Sequence, residues 1–211
     1  QADGVREFLE TRSSGETAAL LPVLRGRMTG AESSALNLGG AEDVRGRGPL
    51  GREYVVTYRD GLEENERYLD GGPWSDDLSI TEVSIEESIR ERFDIDVGDT
   101  ISFEVLGRVV RARVASVREV QWSDTRRGGF MFVFRPDAFV TAPHYYIAMV
   151  RGPDGADDRG RLQRDLVGRY SNISIIDVRD VMASAKEIIG GVTLAISVIG
   201  AITVFMGGLI L

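Results

Sequence analysis

The pattern of apolar and polar positions sets one end of this chain apart from the rest. Residues 188–211, IIGGVTLAISVIGAITVFMGGLIL, carry no charge, no proline and nothing more polar than serine or threonine. A helix rises about 1.5 Å per residue, so roughly 20 apolar residues cross the hydrocarbon layer of a bilayer. A lipid-spanning segment is helical because its backbone polar groups must be satisfied internally. Residues 187–211 are therefore expected to form a transmembrane helix, cut off at Leu211. The alternative is a buried core helix, but such a helix usually keeps a polar stripe. Gly191 with Ala195, Ser197 with Ala201, and Thr203 with Gly207 follow a small-x-x-x-small spacing, which predicts close packing against another membrane helix.

Upstream, the pattern changes to short elements typical of a packed domain. Val5, Phe8 and Leu9 share a helical face, which Ser13, Ser14 and Gly15 end. Strands are expected over 20–29, with Pro22 at an edge, over 52–58 and over 79–83. Residues 30–51 and 63–77 read as loops. Ser84 and Glu87 have the spacing of a capping box, and Ile85, Ile89 and Phe93 supply the apolar face of the helix that follows. Residues 100–106 and 108–117 form a hairpin about Gly107, with Val110, Ala112 and Val114 alternating against Arg111, Arg113 and Ala115. Further strands are expected over 130–134, over 144–150 as a central strand, and over 173–178. Leu162, Leu166 and Val167 give 157–170 an amphipathic helix. A last helix opens at Arg179 and meets no breaker before Ile188, so it is expected to enter the membrane as a stalk.

Composition narrows the classes. The chain has 211 residues, 43% hydrophobic and 27% charged, which suits a packed fold rather than a solvated tail. A net charge of −8 excludes a broad nucleic-acid footprint and disfavours anionic membrane surfaces. There is no cysteine, so thiolate metal sites, thiol nucleophiles and disulfides are excluded. Every Lys or Arg position except Lys186 is arginine. Gln1 opens the chain without a signal peptide, which fits an upstream segment outside this sequence.

Candidate chemistry is thin. Asp94, Asp96, Gly98 and Asp99 suggest a calcium loop, but the glycine is misplaced and Gly107 and Arg108 stand where a bidentate glutamate is needed. A polar turn explains the same string. His144, the one histidine, would have to anchor any imidazole metal site or triad alone. Glu86 with Glu87 and Asp76 with Asp77 are adjacent, so they diverge rather than pair. Gly46, Gly48 and Gly51 alternate with Arg45, Arg47 and Arg52 without a phosphate-loop lysine, which leaves an anion site open. Trp74 and Trp122, flanked by polar residues, read either as ligand-stacking aromatics or as caps on a core edge.

LPVLRGRMTG at 21–30, GREYVVTYRDGL at 51–62 and the string over 83–100 ending in VGDT resemble the second extracytoplasmic domain of YbbP-type permeases. These are members of the FtsX-like, MacB-type class of ABC transporter. VASVREVQWSD at 114–124, FVFRPDAF at 132–139 and ISIIDVRDVM at 173–182 fit the same pattern, so the resemblance covers nearly the whole chain. It implies an α+β fold like the MacB periplasmic core: a porter-like part from 1–60 with 141–186, a β-rich sabre-like insert over 61–140, then the membrane helix. It implies no catalytic residue, metal or cofactor in this domain, with ATP hydrolysis in a separate cytoplasmic ATPase. Expected partners are that ATPase, the membrane and a lipid, lipoprotein or peptide cargo or protein partner, but no nucleic acid. The implied location is the bacterial plasma membrane, with residues 1 to about 186 outside the cytoplasm. A membrane-anchored hydrolase and a sensor or adhesion ectodomain are the alternatives.

Overall fold

The computed structural model of the chain describes residues 2–12, 20–33, 37–46, 48–123, 129–140, 142–170, 172–179, 196 and 200. It divides into two units, Gln1–Pro153 and Asp154–Leu211. The first unit runs α1 (Ala2–Arg12), β1 (Leu20–Glu32), β2 (Asn37–Leu38), α2 (Ala41–Arg45), β3 (Glu53–Tyr58), β4 (Glu66–Gly71), β5 (Glu82–Glu86) and α3 (Glu87–Phe93). It continues with β6 (Thr100–Val105), β7 (Arg108–Val120), β8 (Phe132–Phe134) and β9 (Tyr145–Ala148), with 3₁₀ turns at Gly48–Gly51 and Pro136–Ala138. The second unit carries α4 (Ala156–Arg169), a mixed α+β content overall.

The strand pairings close on themselves. β1 pairs with β3 and β6 on opposite edges, β3 runs parallel to β8, β8 antiparallel to β5, β5 parallel to β7, and β7 forms the hairpin with β6. The result is a barrel of those six strands, in which each member finds partners on both edges. Gly26 of β1 lets the β6 side chains inside the barrel pack close to it. A Cβ there would stand 2.9 Å from Val105 Cγ2 and 3.2 Å from the Phe103 ring. The inside is filled by Leu24, Met28, Tyr54, Val56, Val83, Ile85, Ile101, Phe103, Val114, Val117, Phe132 and Phe134, all buried. Edge-to-face contacts of Phe103 with Phe132 at 4.7 Å and of Tyr54 with Phe132 at 4.9 Å lock the rings. Val44 of α2, Leu50 and Ile89 of α3 join the same core and stopper one end.

Several expected elements shift, each for a physical reason. Residues 30–51 hold the end of β1, β2, α2 and a 3₁₀ turn rather than one loop, because Leu38, Val44 and Leu50 are spaced to plug the barrel, not to repeat. β4 occupies part of the expected 63–77 loop, since a largely exposed strand that among the described residues pairs with β7 alone shows no apolar alternation. The strand placed at 79–83 lies at Glu82–Glu86, so Ser84 sits inside it and the capping box does not form. Glu86 is the N-cap of α3, its carboxylate accepting from Ser88 N at 3.0 Å. β9 is peripheral rather than central: it pairs with Leu20–Val23 of β1, and Tyr145, Tyr146 and Ile147 are all exposed. In place of the strand expected over 173–178, residues 173–177 form no strand among the described residues, and Val178 and Arg179 are helical. The hairpin about Gly107, the helix at 157–170 and the strand near 130–134 form where expected.

No described helix is long and apolar enough to cross a membrane. The expected span over 187–211, with Gly191, Ala195, Ser197, Ala201, Thr203 and Gly207, lies outside the described residues, as does the stalk beyond Arg179.

Candidate functional site

The outer face of β5, with Ser116 and Arg118 of β7 beside it, is as deeply buried as the inner one, and it is ionic. A bulge produces this. β7 pairs Val114 with Val83 but Ser116 with Ser84, so one residue, Ala115, is extra. Before the bulge Ala112 and Val114 point inward; after it Val117 does, and Ser116 and Arg118 turn outward. Gly71 of β4 faces the bulge at φ +70, where a Cβ would collide with the Ala115 carbonyl oxygen. Only glycine fits that contact.

Arg118 is the centre of the first network and is 1% exposed. Its Nη1 donates to Glu66 Oε1 at 2.7 Å, its Nε to Ser84 Oγ at 3.0 Å and its Nη2 to the Phe130 carbonyl at 2.7 Å. Glu66, fully buried, also binds Arg59, and Arg59 Nε donates to the Gly61 carbonyl at 2.8 Å. Burial lowers the Arg118 pKa to about 10 against the pull of Glu66, which leaves it charged at neutral pH. A second network holds the 72–81 segment. Glu82 accepts from Arg113 Nη2 at 2.6 Å, from Ser75 N at 2.8 Å and from Ser75 Oγ at 3.0 Å. Arg135 lies 3.6 Å from the same carboxylate, grips Asp137 with Nε at 2.6 Å and Nη2 at 2.8 Å, and donates to the Asp77 carbonyl at 2.8 Å. Burial pushes the Glu82 pKa up, but the Arg113 and Ser75 hydrogen bonds outweigh it and hold the carboxyl below its usual range. These carboxylates are saturated by guanidinium donors, so the arrangement suits rigid fixation of strands rather than proton transfer.

The open end of the barrel is aromatic. Phe134 meets Phe139 at 5.0 Å, Phe139 meets Tyr58 at 6.1 Å, Tyr58 meets His144 at 5.8 Å, and His144 meets Tyr146 at 4.9 Å. His144 Nδ1 lies 2.9 Å from the Ala142 carbonyl, which can only accept. The neutral ring therefore carries its proton on Nδ1 and presents Nε2 as an acceptor. The ring chain leads from the core to β9, where Tyr145 is 75% exposed. The hairpin turn beside it places Leu106 at φ 52, exposed, in a conformation that favours glycine or asparagine.

The other residues singled out by sequence resolve into local structure. Asp94 caps α3 at φ 56, Asp96 pairs with Arg90 at 2.9 Å, and Asp99 accepts from Asp96 N at 2.7 Å, a polar turn closed by Gly98. Among the described residues no cluster of three acidic or histidine ligands could hold a metal. Glu86 serves as a cap, and Asp77 accepts from Ser79 N at 2.9 Å. Trp74 donates to the Arg59 carbonyl at 2.9 Å and covers a small core of Val23, Phe130 and Val133, whereas Trp122 is exposed over Gly129. The arginine networks were missed because their members lie far apart in sequence and read as solvated charge. The available signal was Glu-x-Ser-x-Glu inside a strand whose alternate positions are Val83 and Ile85.

No protein-family model matches this chain. An uncharacterised ABC transporter permease of Escherichia coli strain K12, YbbP, is 28% identical over 157 residues, which is 74% of this chain. The matched stretch is 18% of that protein, so the chain spans about a fifth of the relative's length. The chain thus combines an α+β fold with a likeness to an ABC transporter permease over three quarters of its length.

Proposed function

We propose that this chain is the extracytoplasmic domain of an ABC transporter permease of the FtsX-like, MacB-type class, carrying ATP-driven motion across the membrane or engaging a lipid, lipoprotein or peptide cargo. The observation that carries this reading is the similarity to the permease YbbP over 74% of the chain. In it, residues 187–211 anchor the domain in the bacterial plasma membrane, packing through Gly191, Ala195, Ser197, Ala201, Thr203 and Gly207, and a separate cytoplasmic ATPase supplies the energy. The porter-like part (1–60 with 141–186) and the sabre-like part (61–140) belong to this proposal as divisions of sequence, since β1 and β3 share a barrel with β5 to β8. A closed barrel clamped by buried guanidinium–carboxylate pairs supports the mechanical role, because a body that transmits motion must not deform under it.

Two measurements test the reading on the complete gene product. Alkaline phosphatase fused after Gly155, in a loop, is active if residues before the membrane segment lie outside the cytoplasm, and inactivity overturns the topology. Spin labels on Thr100 and on the membrane segment of the permease reconstituted with its ATPase should change separation on ATP addition. An unchanged separation overturns transmission.

A further inference from the structure

Among the described residues β4 and β9 are each paired along one edge, and the chain treats the two strands differently. β4 carries Arg67 and Asp70 and is irregular between Tyr68 and Asp70, features that keep another strand away. β9 has no such guard: residues 139–150 contain no Asp, Glu, Lys or Arg, and its register with Leu20–Val23 is unbroken. Val23 pairs with Thr57 of β3 on one edge and with Tyr145 on the other, so β9 lies on the same edge of β1 as β6. β6 ends at Val105 opposite Gly26, and β9 begins at Tyr145 opposite Val23, about 10 Å further along at the rise of a strand. The turn of the β6–β7 hairpin therefore abuts the start of β9. Together they expose a run of apolar side chains: Leu106 at 56% and Val109 at 66%, then Tyr145, Tyr146, Ile147 and Met149. Leu106 holds φ 52, a backbone that glycine or asparagine adopts more easily, so the turn keeps a strained leucine at the surface. Strain of that kind persists where the side chain is put to use. Arg108 follows Leu106 and Arg151 follows Met149, and both are exposed. Among the described residues neither is ion-paired with a carboxylate, whereas Glu104, the acid before the turn, stands opposite Arg27.

We infer that this rim, the β6–β7 turn with β9, seats in the headgroup layer of a phospholipid bilayer. Leu106 and Tyr145 enter the apolar boundary, and Arg108 and Arg151 meet lipid phosphates. Tyrosine rings are at home at that depth, and arginine stems reach past apolar neighbours to place their charge among phosphates. Two observations favour lipid over a second copy of the chain. Pairing an arginine-flanked strip with itself brings like charges together, whereas phosphate complements them. The chain also brings a bilayer within reach through the uncharged stretch 188–211. With a net charge of −8, the contact belongs to zwitterionic rather than anionic lipid. The inference rests on the reading of 187–211 as an anchor and goes beyond it by naming the face of the domain that meets the membrane.

The chain has no cysteine, so one introduced thiol carries an environment-sensitive fluorophore at a single known position. The full 211-residue chain, labelled in turn at Leu106→Cys, Tyr145→Cys and, on α2, Asp43→Cys, is reconstituted into phosphatidylcholine liposomes with and without doxyl-labelled phosphatidylcholine. All three positions are exposed, so the label spares the core. The labels at Leu106 and Tyr145 should shift to the blue, and doxyl lipid should quench them several-fold more than the label at Asp43. Leu106→Asn suits the turn backbone and keeps the fold, yet it should reduce the quenching read at Tyr145. Quenching no greater than at Asp43, in a chain that floats with the liposomes, overturns the rim contact and leaves the anchor standing. Failure to float overturns both. A blue shift without lipid quenching means that protein covers the rim, and it overturns the inference, as does quenching at Tyr145 that Leu106→Asn leaves unchanged.

Discussion

The two faces of strand β5 are both buried and are stabilised by opposite means. Val83 and Ile85 point into the aromatic core, where burial itself supplies the driving force. Glu82, Ser84 and Glu86 point outward into a layer where burial is costly, and that cost is met by guanidinium, hydroxyl and backbone donors. The inner face tolerates any apolar set of the right volume. The outer face tolerates almost none, because each group there answers a particular partner. Rigidity of the wall therefore comes from the side that contributes least to net hydrophobic stability.

Four changes break or sharpen this contrast. The largest effect is expected from Arg118→Ala, which takes from the buried Glu66 carboxylate one of its two guanidinium partners and leaves Ser84 and the Phe130 carbonyl without the donors they had. Urea unfolding should show a loss of about 3–5 kcal/mol, and Arg118→Ala combined with Glu66→Ala should lose less than the sum of the single variants. Next, Gly26→Ala presses a methyl against Val105 and Phe103 inside the barrel, and the thermal midpoint should fall by the equivalent of about 1–3 kcal/mol. If the inner face could absorb it freely, the midpoint would not move. Third is pH. Glu82 and Asp137 both have lowered folded pKa values, so their contribution is present above the unfolded carboxylate pKa of about 4 and is lost as pH falls through the lower folded values. For Asp137 the leading cause is its hydrogen bond from Arg135. Acid titration of Glu82→Gln should accordingly show a shallower stability loss below about pH 4 than the parent, and an identical slope would remove Glu82 from the acid response. The smallest effect is expected at β9. Tyr145→Ser should change stability by no more than about 0.5 kcal/mol, and a larger loss would mean that the strand is held as the barrel is.

What could be read in the sequence follows the same division. The β6–β7 hairpin is plain because Val110, Ala112 and Val114 alternate with arginines against a buried interior. The alternation fails to predict Arg118 because the bulge at Ala115 exchanges the two faces, and a bulge leaves no mark in hydropathy. β9 was expected to be central because residues 139–150 contain no Asp, Glu, Lys or Arg, but that lack of charge belongs to an exposed edge. Among the candidate sites, the aspartates at 94–99 were legible as a turn, since their spacing matched no complete ligand set. His144 was legible as a lone imidazole, but its place in an aromatic chain depends on Tyr58, which lies 86 residues away in sequence. The pairing of Arg59, Glu66 and Arg118 is of the same kind: composition supplies the charges, and only the closed barrel decides which of them meet.

Barrel closure also has a consequence for the order of events during synthesis. β1 is made early, but its partner β6 arrives only with Val105, and the ring is not complete until Phe134 of β8 has joined β3 and β5. Until β3 is made the nascent β1 has an apolar inward row and two edges without their final neighbours, and until β6 follows it still has one, the condition in which strands pair wrongly with one another. Its exposed outward row contains Arg25 and Arg27, charges that oppose stacking of one unfinished chain on the next. The residues that seem idle on the finished surface are thus the ones that guard the chain while it is still open.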